Sequence, residues 1–152
     1  MTENNAVSHP SHYCDGGIET IDYIIALSAP FHLGNVIKYI SRAGKKDKSK
    51  TLQDIEKSKW YLDNYIHHVD CRRSFSSFVD GISPKNVINI TSEDFIKAKK
   101  ITDNYLQSAI RFIDEAMRNN TNDGMKFVMI LNSASNAINK YIEEHRKDDE
   151  NA

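Results

Sequence analysis

Apolar residues fall along this chain at helical rather than strand spacing, in blocks separated by glycine, proline and polar runs. Ile21, Ile24, Ile25 and Ala26 predict a first helix over 18–27, ended by the Ala29-Pro30 step, because the residue before a proline is steered away from helical geometry. Val36, Ile37, Ile40 and Ala43 mark the buried side of a second helix over 34–43, capped by Gly44, which puts Asn35, Lys38 and Arg42 together on the other face. A third helix of about five turns begins at Thr51, where Thr51 and Asp54 have the spacing of a capping box. It carries Leu52, Ile55, Leu62, Ile66 and Val69 at helical intervals, with Tyr65 beside them.

Between 70 and 91 the periodicity fails. Gly81, Pro84 and several serines make this a linker, in which only the short VINI segment has strand character. A fourth helix is predicted to start after Thr91 or Ser92 and to run unbroken through Phe95, Ala98, Ile101, Tyr105, Ala109, Phe112 and Met117. After a turn over 119–124, a fifth over 125–146 places Val128, Leu131, Ala134, Ile138 and Ile142 on one face. The expected fold is an all-α bundle of about five helices. Three lie in a unit spanning 9–69, and the last two form an antiparallel hairpin over 92–147 that serves packing or oligomerisation. Residues 1–8 and 148–152 are expected to be disordered tails.

Composition narrows the functional classes. The 152 residues carry 20 basic and 21 acidic side chains, a formal charge of -1. No global field marks a nucleic-acid or anionic-membrane partner, so any phosphate site must be local. Cys14 and Cys71 are far apart, the first ten residues are polar, and no stretch approaches the roughly 20 apolar residues that span a bilayer. These features predict a cytoplasmic protein without disulfide, structural zinc or membrane partner.

A local site is visible in the charge pattern. Between Gly34 and Trp60 stand eight basic residues (Lys38, Arg42, Lys45, Lys46, Lys48, Lys50, Lys57 and Lys59) against Asp47, Asp54 and Glu56, a net +5 in a chain that is otherwise negative. Lys38 and Arg42, one helical turn apart, are spaced to grip one anion, and the lysines after Gly44 lead to the N-terminus of the third helix, itself favourable to anions. The same cations also suit the C-terminal end of a helix dipole as a solvated loop. A Walker A loop is absent, since Tyr39 stands where its first glycine belongs and Lys46 where its hydroxyl does. Glu19 and Asp22 share a face on which they would hold a metal, orient a sugar hydroxyl or pair with Lys38. His9, His12 and Tyr13 precede the first helix, and Trp60 and Tyr61 either stack on a base or belong to the core.

In order, HPSHY, IETIDYI, LGNVIKYISRAGKK and DIEKSKWYLDNYI resemble the phage nucleotide kinase family, over about residues 9–66. The resemblance implies phosphorylation of deoxynucleoside monophosphates in the host cytoplasm, by an oligomeric protein without a P-loop. ATP or another nucleoside triphosphate would be the donor, and Mg2+ is left open. The positions that match are His12, Tyr13, Glu19, Gly34, Asn35, Lys38, Tyr39, Arg42, Gly44, Lys45, Lys46, Asp54 and Lys57. On physical grounds Lys38, Arg42 and Glu19 are the catalytic candidates. His12, Tyr13, Asn35, Lys38, Arg42, Lys45, Lys46, Asp54 and Lys57 are the candidates for holding nucleotide and phosphate. Two other readings are carried: an oligomer that binds or sequesters nucleotides without turning them over, and, third, an all-α nucleoside triphosphate pyrophosphohydrolase using Glu19, Asp22, Asp54 and Glu56, which lack the paired Glu-x-x-Glu pattern of such sites.

Overall fold

The computed structural model describes residues 15–71, 89–119 and 123–150. Among these residues there is no strand, and six α-helices follow one another: α1 (Thr20–Ala26), α2 (Phe31–Arg42), α3 (Thr51–Cys71), α4 (Ser92–Ala98), α5 (Asn104–Arg118) and α6 (Gly124–Glu150). The all-α class is as expected. Residues 1–14, 72–88 and 120–122, which include the predicted N-terminal tail, most of the linker, the start of VINI and the middle of the predicted turn over 119–124, lie outside the described residues, as do 151 and 152.

Three local readings are corrected. The single fourth helix is two, α4 and α5, because the apolar periodicity continues across a break made by the backbone. Lys100 adopts φ 47°, and the N–H groups of Lys100 and Ile101 return to the carbonyls of Lys97 and Ile96, closing α4 in a Schellman-type cap. Asp103 then opens α5 by accepting from the N–H groups of Tyr105 and Leu106. Secondly, the capping box lies not at Thr51 and Asp54 but at Thr91 and Asp94, where hydroxyl and carboxylate exchange bonds with each other's backbone. Thr51 donates instead to the Lys48 carbonyl within a 3-10 turn (Lys48–Lys50), and Asp54 is drawn away by Arg42. Finally, α6 outlasts its apolar stripe and continues to Glu150.

α2 packs along α3, α5 along α6, and α3 along α6. All three pairs are antiparallel. Arg42 meets Asp54 at one end of the first pair and His32 meets Asn64 at the other, while Tyr105 reaches Glu144, and Asp63 and Glu56 on α3 reach Ser135 and Arg146 on α6. One apolar core runs through both halves of the chain, from Leu33, Ile37 and Leu62 to Phe95, Ile110 and Ile138.

The two halves are keyed together by Tyr23. Its ring is fully buried and stacks on Phe95 with centroids 4.2 Å apart, and its hydroxyl donates to Asp114 Oδ2 at 2.7 Å. Asp114 in turn holds Arg118, which reaches the Ile90 carbonyl. Burial and then the Asp114 hydrogen bond push the Tyr23 hydroxyl far above its ordinary pKa, so it remains a donor. Close packing fixes two glycines. A Cβ on Gly34 would sit 3.2 Å from Ile24, which sets how near α1 lies to α2. A Cβ on Gly16, whose φ is +81°, would fall 1.9 Å from the Ala98 carbonyl oxygen.

Tyr23→Phe is expected to lower unfolding stability by about 1–3 kcal/mol, because Asp114 loses a buried donor while the ring stack survives. Equilibrium urea denaturation of the full chain measures this loss. Gly16→Ala should destabilise by more than about 1 kcal/mol in the same experiment, since both φ and the Ala98 contact oppose it.

Candidate functional site

The seam between α2 and α3 is built from two helical stripes. On α2 the positions 31, 35, 38 and 42 follow one another at three- and four-residue steps, with Tyr39 and His32 alongside. On α3 the matching stripe is 54, 57, 61, 64, 65 and 68. The apolar residues Leu33, Val36, Ile37 and Ile40 turn the other way into the core, leaving the seam to aromatic and charged side chains.

At one end stands an ion pair. Arg42 Nε and Nη2 donate to the two Asp54 oxygens at 3.1 and 2.8 Å, and the Asp54 side chain is only 6% exposed. A buried carboxylate needs such a partner, and two parallel bonds fix the plane of the guanidinium. That plane lies 4.6 Å from the centroid of the Tyr39 ring. Lys38 Nζ lies 4.5 Å from the same centroid and Lys57 Nζ 5.9 Å, so three cations surround one phenol ring. Lys38 donates to Asn35 Oδ1 at 2.6 Å, and Asn35 donates to the Phe31 carbonyl, which ties the amine to the helix without neutralising it. Burial, then the positive charge of Arg42, holds the Lys38 ammonium below the usual lysine range; Asp54 opposes that shift and Lys46 adds to it.

From Tyr39 the seam becomes aromatic. Tyr61 stacks on Tyr39 at 5.8 Å, and Phe31 and Trp60 stand nearly perpendicular to Tyr61, at 6.0 and 5.0 Å. Phe31 is 72% exposed and Trp60 60%. His32 continues the row, bonded to Asn64 Oδ1 at 3.0 Å and lying 6.2 Å from the His68 ring. Beside Phe31 an open apolar groove of about 230 Å3 runs between α1 and α2, lined by Ile24, Ala29, Pro30 and Gly34 and reaching Lys38.

The structure therefore brings together Asn35, Lys38, Arg42, Asp54 and Lys57, with Lys46 exposed and acting on Lys38 through its charge. Other candidates are placed elsewhere. Lys45 turns its ammonium onto the Ser41 and Lys99 carbonyls at 2.7 and 2.6 Å, joining the C-terminal ends of α2 and α4. Glu19 is the N-cap of α1, where the neighbouring Thr20 hydroxyl meets Ser41. Lys38 bonds to Asn35 rather than to Glu19 or Asp22. Lys50 and Lys59, within the same basic stretch, are paired with Asp47 and Asp63. His9, His12 and Tyr13 lie outside the described residues. Sequence reasoning missed Tyr39 as the centre of the cations and Phe31 as a contact of Tyr61, the ring stacked on it. The available signal was large aromatics standing off the apolar stripe of α2.

Residues 7–63 match a family described as a protein of unknown function (DUF3310), a span that includes the Tyr39 cluster, Phe31 and Trp60 but stops short of α4–α6. No curated protein and no solved structure matches the chain.

Arg42→Ala is expected to cost about 3–5 kcal/mol of stability by stranding the Asp54 carboxylate, and the double variant Arg42→Ala/Asp54→Ala to recover part of that loss. A double-mutant cycle in denaturant tests it. Additive losses would show that the pair is not coupled.

Proposed function

We propose that the Tyr39 cluster binds the phosphates of a nucleotide, and that the protein is a P-loop-independent kinase of deoxynucleoside monophosphates. The observation that carries the phosphate reading is the charge imbalance around one ring: among the described residues Lys38, Arg42 and Lys57 surround Tyr39 and Lys46 adds its charge at Lys38, against the carboxylate of Asp54 that Arg42 pairs with. Like charges held this close repel, and an anion seated among them relieves the repulsion. Phosphoryl transfer depends mainly on positioning and charge neutralisation, for which Lys38 and a guanidinium fixed by Asp54 are suited. The acceptor is itself a phosphate oxygen and requires no strong general base. Glu19, the N-cap of α1, has no part in this reading. The kinase reading rests on the sequence resemblance together with this cluster.

One observation favours a second reading, binding without turnover. Arg42 and Lys45 are already engaged by Asp54 and by backbone carbonyls, so of the cations at the cluster Lys38, Lys46 and Lys57 are those with no ion-pair partner among the described residues.

Incubating the protein with ATP and each deoxynucleoside monophosphate, with and without Mg2+, and separating products by ion exchange distinguishes the two. Diphosphate formation lost in Lys38→Met supports the kinase; nucleotides recovered intact in stoichiometric complex support the binding protein. Lys38→Met should weaken nucleotide binding roughly 10- to 150-fold, the worth of a charged hydrogen bond. Binding requires protonated Lys38, whose pKa is lowered in the free protein. Affinity should therefore fall as pH rises, starting below the pH at which an ordinary lysine titrates, and complex formation in that range should take up a proton. Calorimetry in buffers of different ionisation enthalpy measures that uptake.

A further inference from the structure

Resting on the phosphate reading above, we infer that the exposed rings of Phe31 and Trp60, set around Tyr61, form the platform for the nucleotide's base, read by stacking rather than by hydrogen bonds. Three observations converge on this. Phe31 and Trp60 are among the most exposed large apolar side chains described, at 72% and 60%, although α2 and α3 have a fully buried stripe available for aromatics. They are continuous with the cations: each contacts Tyr61, Tyr61 stacks on Tyr39, and Tyr39 is the ring that Lys38, Arg42 and Lys57 surround. The centroid steps of 6.0 and 5.8 Å from Phe31 to Tyr61 to Tyr39 suit a ligand with a planar ring at one end and an anion at the other.

Beside this platform His32 Nε2 and Asn64 Oδ1 are hydrogen-bonded to each other at 3.0 Å, which takes those two atoms out of base recognition. Every nucleobase has a π-face, and stacking on an aromatic side chain tolerates changes of base. The site therefore accepts purines and pyrimidines alike, with purines favoured by their larger ring area. Its two ends have separable chemistry: the anion end takes phosphate in any form, and the aromatic end takes only the base.

That separability provides the test. Binding of dGTP and of inorganic tripolyphosphate to the full chain is measured by calorimetry for the native protein, Phe31→Ala, Trp60→Ala and the conservative Phe31→Tyr. Both alanine variants should lose roughly 10-fold in dGTP affinity, Phe31→Tyr should keep it, and all four proteins should bind tripolyphosphate equally. Because Trp60 is the sole tryptophan, dGTP but not tripolyphosphate should quench the native fluorescence. Unchanged dGTP affinity in both alanine variants, with tripolyphosphate still bound, overturns the platform and leaves the phosphate site standing. Failure of the native protein to bind either ligand overturns the phosphate site and the platform with it.

Discussion

A carboxylate removed from water needs a cation close by, and Asp54 is almost entirely removed from it. Arg42 meets that need with two hydrogen bonds from the last turn of α2, and this fixes the register of α2 against α3. Everything along the seam follows from that register. Tyr39, three residues before Arg42, lands on Tyr61, seven residues after Asp54, and Phe31 and His32 at the start of α2 land against Tyr61, Asn64 and Tyr65 further along α3. A slip of one turn would separate the rings from one another and the cations from Tyr39.

The same pair explains why a strongly basic stretch becomes a confined site instead of a diffuse positive surface. Several of its cations are taken up by the protein. Lys45 closes two helix ends, Lys59 and Lys50 are paired with carboxylates, and Arg42 is held by Asp54. What is left is Lys38, Lys46, Lys48 and Lys57, of which Lys38 and Lys57 lie against the Tyr39 ring.

The second half of the chain supports the site without contributing to the seam. α6 lies along α3, where Ser135 and Arg146 engage Asp63 and Glu56, and α5 reaches back through Asp114 to Tyr23 on α1. α1 packs closely on α2 at Gly34, so anchoring Tyr23 also steadies the helix that carries Lys38 and Tyr39. This is a tertiary role for a segment whose amphipathic stripes alone suggested a separate hairpin.

The helical class and the ends of α1 and α2 were legible from local chemistry: apolar spacing, a proline step and Gly44, whose φ of +74° its lack of a side chain permits. The grouping of Asn35, Lys38 and Arg42 was legible too, because three- and four-residue steps on one helix need no knowledge of the fold. The break between α4 and α5 was not, since Lys100 in a left-handed conformation has no sequence signature as glycine would. Nor was the sorting of the cations. Lys38 and Lys45 read alike as basic residues near a helix end, yet one faces a neighbouring ring and the other points at carbonyls of Ser41 and Lys99, the second of which is 54 residues away. Helical periodicity fixes which residues share a face of one helix. Which face of another helix they meet, and so whether a charge is spent on the fold or left for a ligand, is decided only when the helices pack.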